Sequence, residues 1–371
     1  MSATRVVLAG FYPPPFAGEP IHVGQLARML REQGLEVVVL NLKRHAPPSP
    51  EYLTAASRLG LVRLLFTLPD RSTLLHLHTN GHSWKSWVMI VAAGVAARLR
   101  RIRAMLTIHS GLFPGYVSRF GWLRRVVAGW TLLGFDRLVG VNREIGEALE
   151  GLGMERRRVV VIPAFLGVPE PGELDPEDRA VVDGSRPLLV AVAGGEADPE
   201  LGLATVIETL PDLAQRFPRV RAVFLGWQVG PRTRPLIEAR GLGEYAVCLG
   251  EVPHERCLRL LRAADVVIRS TFLDGDAITV REALAFGVPV VASDTSFRPK
   301  DVVLFRKGDS RDLLTKLEQV LAAPRPRAEP EPADTAQELW RVYAEVLGRH
   351  STAVQVTSTP SPKPRAGVTP P

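Results

Sequence analysis

The sequence predicts an α/β protein of two doubly wound domains, and three observations carry that reading. Apolar strand-like runs alternate with segments of helical period along most of the chain. Runs such as VVVL at 37–40 and VVVIP at 159–163 are apolar at successive positions, which marks parallel strands covered by helices on both faces. The alternation pauses once, in a stretch at 164–186 rich in Pro, Gly and acid, and then restarts.

The first half offers strands at 5–10, 36–40, 74–78, 104–109, 137–141 and 159–162, and a helix at 22–33 that stops at Gly34. The second half offers strands at 188–193, 221–225, 246–249, 266–268, 288–292 and 302–305, with helices at 277–286 and 310–322 among them. These limits give a first domain at 1–165, a linker at 166–186 and a second domain at 187–324. Beyond the Pro-rich connector PRPRAEPEP, the segment 334–349 reads as an amphipathic helix with Leu339, Trp340, Tyr343 and Leu347 on one stripe. Residues 350–371, rich in Ser, Thr, Pro and Lys, are expected to be disordered.

Composition narrows the class. Apolar residues make up 46% and charged residues 23%, which fits a soluble globular protein. No apolar run reaches the roughly 18 residues of a membrane span. The N-terminus MSATRVVLAG lacks the features of a signal peptide, so a cytoplasmic location is expected. Cys248 and Cys257 alone cannot build a disulfide framework or a cysteine metal cluster.

Charge is uneven. Residues 1–163 hold 21 Lys and Arg against 10 Asp and Glu, and the remainder 25 against 29, so the positive excess lies in the first half. A basic half attracts anionic partners, although an Arg-rich proteome would give the same bias. No stacking aromatic motif accompanies the arginines, which argues against nucleic acid. Trp84, Trp87, Trp122 and Trp130 lie close in sequence to Arg98, Arg100, Arg101, Arg103, Arg124 and Arg125. That combination suits peripheral contact with an anionic membrane, or else a buried helix with a basic end.

The chemistry concentrates in DVVIRSTFLDGDAITVREALAFGVPVVASD at 265–294. A strand runs into a loop bearing Gly275, and a helix opens near Ala277. Backbone N–H groups at such a helix start, with the positive end of its dipole, can hold a diphosphate. Asp274 and Glu282 are spaced so that one carboxylate can face a sugar while the other reaches a ribose hydroxyl pair.

Here the chain resembles the GT-B glycosyltransferases of retaining family 4. Their hallmark is two acids separated by seven residues, the second followed by Ala-Leu-Ala-x-Gly-x-Pro-Val-Val-Ala. The matching residues are Asp274 and then Glu282 through Ala292. The DGD loop preceded by Arg269-Ser270-Thr271 resembles a subset of that family, whereas most members carry Glu at the first acid. FYPPPFAGEP at 11–20 resembles the N-terminal donor-phosphate loop, with Gly18 the survivor of a glycine pair. LTIHSG at 106–111 resembles the strand end that carries a donor-sugar histidine, here His109. DRLVGVNREI at 136–145 and VVVIPAFLGV at 159–168 resemble the end of the first domain, and 249–268 the nucleotide-base region. The last helix resembles the segment that returns to the N-terminal domain.

The resemblance implies two Rossmann-like domains facing across a cleft, with the nucleotide-sugar donor mainly on the second and a glycan or lipid-linked acceptor on the first. It implies retention at the anomeric carbon in polysaccharide or glycolipid assembly. The candidate catalytic residues are His109, Asp274 and Arg269. The candidate donor-binding residues are Gly18, Gly275, Asp276, Ala277, Ile278 and Glu282. The family's usual Arg and Lys for the diphosphate are replaced by Gly195 and Leu201. Arg269 is the favoured substitute, with Arg281, Arg298 and Lys300 behind it. The loss leaves open a non-catalytic nucleotide-sugar-binding relative, and the fold also hosts sugar-nucleotide epimerases.

No cofactor and no metal is expected, the nucleotide-diphosphate sugar being a substrate. Asp276 reads best as an N-cap. The Asp-Gly-Asp triplet could pair on a cation, but its flanks match a helix-opening loop. His76 and His78 share one face of a strand, yet two histidines without a third ligand make a weak metal site.

Overall fold

The computed structural model describes residues 5–193, 202–295, 297–323 and 334–348. Twelve strands form two six-stranded sheets in which every pairing is parallel. The first sheet holds β1 (Arg5–Gly10), β2 (Glu36–Asn41), β3 (Thr73–Thr79), β4 (Arg103–Ile108), β5 (Arg137–Gly140) and β6 (Val159–Val161). The second holds β7 (Leu188–Val192), β8 (Arg221–Leu225), β9 (Ala246–Gly250), β10 (Val266–Arg269), β11 (Val290–Ser293) and β12 (Val302–Phe305). Their orders are β2-β1-β3-β4-β5-β6 and β12-β11-β10-β7-β8-β9, the two common doubly wound arrangements.

Each sheet separates two apolar layers. Along β1, Val7 and Ala9 join one cluster while Val6 and Leu8 join another on the opposite face. Leu189 and Ala191 of β7 likewise oppose Leu188, Val190 and Val192. The unbroken apolar runs follow from this burial on both sides.

Two segments tie the halves together. The stretch 166–186, read as a linker, holds a short helix at Pro176–Val182 whose N-cap, Asp175, accepts from the Asp178 amide. Asp178 is buried against Arg256 at 2.7 Å, so an acid-rich segment is docked by ion pairing onto the helix His254–Ala263. The last helix, Thr335–Leu347, buries Leu339, Trp340, Tyr343 and Leu347 against Leu8, Val23, Leu26 and Leu74 of the first sheet's layer. The Tyr343 hydroxyl also lies 2.6 Å from His76 Nδ1, and Glu345 pairs with Arg137 at 3.1 Å. Gly195, Leu201 and the tail 350–371 lie outside the described residues.

Candidate active site

Both sheets change winding direction once, between β1 and β3 and between β7 and β10. Crevices at such switch points, beyond the carboxyl ends of the strands, are where doubly wound folds bind ligands. Here the two crevices meet in one cleft of about 450 Å³, lined by Phe11, Asn80 and His109 on one side and Val192, Leu225 and Arg269 on the other. Gly18, Asp274, Gly275, Asp276, Ala277 and Ile278 also line it.

The two walls touch through main chain. A Cβ on Gly275 would stand 1.9 Å from the His109 carbonyl oxygen, and one on Gly111 would stand 2.2 Å from that of Asp274. Only glycine permits this approach. Asn142 Nδ2 donates to the Gly275 carbonyl at 2.7 Å, and the Phe16 amide donates to Glu251 Oε1 at 2.8 Å.

The helix Ile278–Ala285 opens without a side-chain cap, and Ala277, Ile278 and Thr279 line the cleft. Beside it sits a buried charge cluster. Arg269 grips Asp274 with two bonds of 3.0 and 2.5 Å, Arg298 adds a third at 2.6 Å, and the Thr271 hydroxyl donates a fourth at 2.5 Å. Burial alone would raise the Asp274 carboxyl, but the two guanidinium groups override it and hold it well below the ordinary range. One negative charge against two positive leaves a surplus positive charge at the cleft wall. Asp274 therefore spends both oxygens on cations, where its spacing in the sequence suggests a carboxylate facing a sugar. Arg269, the favoured cation, does line the cleft, and Arg298, outside its lining, holds the Asp274 that both share. Lys300 is exposed in a turn, and Arg281 is turned to Asp276.

Asp276 is not the N-cap that the sequence suggests. Its carboxylate accepts from the Ala164 amide at 2.9 Å and from Arg281 Nε at 2.7 Å, so it staples the helix start to the end of the first domain. Arg281, one turn along, competes successfully for the oxygens a cap would use. Burial raises the Asp276 carboxyl despite that partner. Glu282 is fully buried and does not itself line the cleft. Its Oε1 meets Nε2 of His254, a cleft residue, at 2.6 Å, and its Oε2 has no partner among the described residues.

Sequence reasoning missed two features. Glu19, at the position of the lost second glycine, is buried on the cleft wall with its Oε1 accepting from the Phe11 amide at 3.2 Å. Burial pushes its carboxyl up to about 7, partly offset by that bond. The second feature is a cluster of His22, His76, His78 and His109. His78 Nδ1 lies 3.1 Å from His109 Nε2, His22 Nδ1 lies 3.0 Å from the Ala164 carbonyl oxygen, and His76 Nε2 lies 2.8 Å from the Thr107 hydroxyl. Burial lowers His22 to about 4 and His76 to about 3 and holds His78 and His109 well below the ordinary value, so all four are neutral near pH 7. The adjacency of β3 and β4 brings His78 beside His109, and no spacing within the sequence reveals it.

An exposed apolar and basic face lies on the helices Trp84–Arg100 and Trp122–Leu132. Trp122 is 77% exposed, with Trp84, Leu123, Val126, Val127 and Trp130 also open. Arg58 stacks over Trp84 at 5.1 Å and Arg98 over Trp130 at 4.2 Å. Trp87 departs from the expected set: it is half-buried, its indole donating to the Gly81 carbonyl at 3.0 Å. No helix among the described residues is long and apolar enough to cross a membrane.

Comparison with known proteins agrees with this geometry. A family model described as glycosyl transferase 4-like domain matches residues 5–164, and one described as glycosyl transferases group 1 matches residues 180–330. Phosphatidyl-myo-inositol mannosyltransferase of Mycobacterium leprae is 25% identical over 299 residues, 75% of each chain. A phosphatidylinositol N-acetylglucosaminyltransferase chain from Arabidopsis thaliana is 22% identical over 343 residues, 85% of this chain and 74% of that one. The structure of Anabaena HepE with UDP and glucose superposes with a TM-score of 0.67 at 16% identity, covering 92% of this chain and 100% of that one. Two models in tandem over two doubly wound domains that share one cleft lead to one assignment: the chain belongs to the group 1 glycosyltransferases, family 4, with the GT-B fold.

Proposed function

We propose that the protein transfers a sugar, with retention and without a metal ion, from a nucleoside-diphosphate donor to a hydroxyl of a lipid-linked or glycan acceptor in surface polysaccharide or glycolipid assembly. The observation that carries this reading is the uncapped start of the helix Ile278–Ala285 beside the positive surplus of Arg269, Arg298 and Asp274. The leaving diphosphate gains charge in the transition state, and fixed donors placed at that charge lower the barrier. Arg269 uses three of its five N–H groups on Asp274 and the Val192 carbonyl, so two remain for a phosphate. This cluster does the work of the cations that Gly195 and Leu201 displace in the sequence pattern.

The remaining roles follow from position. Gly18 lets the donor phosphate approach the first domain, where a Cβ would have only Ile278 as a neighbour, at 4.0 Å. His109 reaches the donor sugar from the facing wall. Glu282 lies behind His254 and out of the cleft lining, and its unpartnered Oε2 receives the ribose once His254 turns aside. The departing phosphate takes the acceptor proton, so no side chain serves as base. The chain's share is orientation and charge stabilisation. The relatives named for phosphatidylinositol acceptors, and the Trp and Arg face beside the first domain, support an acceptor presented at an anionic membrane surface.

A thermal-shift screen of nucleoside diphosphates and their sugars tests the donor half, because a ligand that binds only the folded state raises the melting temperature. The best ligand should lose at least tenfold in affinity in Glu282→Ala while the free protein melts as before. Equal affinity in the variant refutes the ribose role. NMR of the product with the best donor then reads the anomeric configuration, and turnover that survives EDTA is expected. An inverted product or abolished turnover in EDTA overturns the mechanism.

A further inference from the structure

We propose that His22, His78 and His109 form a binding site for one divalent transition-metal ion of the zinc class, set behind the cleft wall where His109 lines it. Their ligand nitrogens all lie within 4.8 Å of one another. Their ring centroids make an almost regular triangle, 5.3 Å from His22 to His78, 5.2 Å from His22 to His109 and 5.4 Å from His78 to His109. Three imidazoles on one tetrahedral ion, with metal–nitrogen bonds of ~2.0–2.1 Å, place their ring centres ~5 Å apart. The rings already hold the spacing that a shared ion imposes.

The hydrogen bonding points the same way. His22 Nδ1 donates to the Ala164 carbonyl at 3.0 Å, which leaves Nε2 as a lone pair, the outer-shell arrangement typical of a metal-bound histidine. His78 makes its one hydrogen bond, of 3.1 Å, to His109, and its Nε2 has no partner among the described residues although the ring is fully buried. A plain core histidine would be expected to satisfy both nitrogens. His76 does so, through Tyr343 and Thr107, and is therefore no ligand but the floor beneath His78, 4.1 Å away. All three candidate ligands are neutral near pH 7, the form that binds metal. His109 is half-buried and lines the cleft, which supplies an entry path and leaves the fourth ligand position to water or an oxygen of a bound molecule.

The ion takes no part in the transfer. On the sugar-transfer reading, occupancy removes His109 from the donor, so zinc inhibits. The binding claim stands apart from that reading and is measured on the protein alone. Untagged protein is titrated with Co2+ and followed by the visible absorption of tetrahedral cobalt, then by displacement with Zn2+. One Co2+ per chain is expected, with affinity at least tenfold lower in both His22→Gln and His78→Gln. Circular dichroism identifies a variant that fails to fold, and the other then decides. No cobalt band at micromolar metal in the parent, or a folded variant binding as tightly as the parent, overturns the proposal.

Discussion

Asp274 accepts from two guanidinium groups and a hydroxyl at once, and that arrangement has a measurable cost of removal. Asp274→Asn leaves Arg269 and Arg298 buried without their counter-charge, and breaking a buried pair this way costs about 3 kcal/mol. Urea denaturation should show that loss, and a variant as stable as the parent means the pairing is solvated. Glu19 gives a prediction of opposite character. Its carboxyl rises from 4.5 to about 7 on folding, so the folded chain binds the proton more tightly. Stability is therefore fully present below pH 4.5 and declines as pH rises toward 7. Glu19→Gln removes that decline: little difference from the parent at pH 4.5 should grow to about 3 kcal/mol in favour of the variant by pH 8. Denaturation curves at both pH values check it, and a difference that does not change with pH excludes a titrating Glu19. That Asp274 and Arg269 meet beside the cleft was legible in the sequence because they lie close together at one strand end, whereas the burial of Glu282 behind His254 was not. The histidine cluster was not, because His22, His78 and His109 come from a helix and two strand ends joined only by sheet order.

Strands were the most legible elements, since burial on both faces forces consecutive apolar residues, as along VVVL and the fully buried β3. Limits moved by one or two residues where polar positions close a strand, as at Asn41 and Ser293. The helix within 166–186 escaped notice because Pro, Gly and acid hide a seven-residue helix that depends on tertiary ion pairs with Arg256 and Arg259. The loop before the helix Ile278–Ala285 carries its own prediction. Gly275→Ala must move the His109 carbonyl, whose oxygen is 1.9 Å and whose carbon is 2.9 Å from the new methyl, and that neighbour is backbone. Forced repacking of that kind costs about 1–3 kcal/mol. The melting temperature should fall and turnover with it, and a variant equal to the parent in both means that the walls separate freely.

The two domains and their cleft were legible as a pattern, but not which surfaces stay open. The four tryptophans near arginines divide in the folded chain, Trp87 turning inward and Trp84, Trp122 and Trp130 staying outside. Sedimentation with vesicles rich in anionic lipid should carry the protein down at low salt and release it at high salt, because screening weakens attraction between exposed charges. Replacing Trp122 and Leu123 by Ser should reduce the bound fraction several-fold, and undiminished binding would move the contact elsewhere. The last helix has a consequence of a different kind. Leu339, Trp340 and Tyr343 complete a core whose members outside this helix, from Val6 to Ile162, were all synthesised before the second sheet began. During translation the first body therefore waits with one greasy face bare until nearly all of the second has left the ribosome. A premature stop in the connector would release a chain with its second sheet whole and its first uncovered, ready to stick to its neighbours.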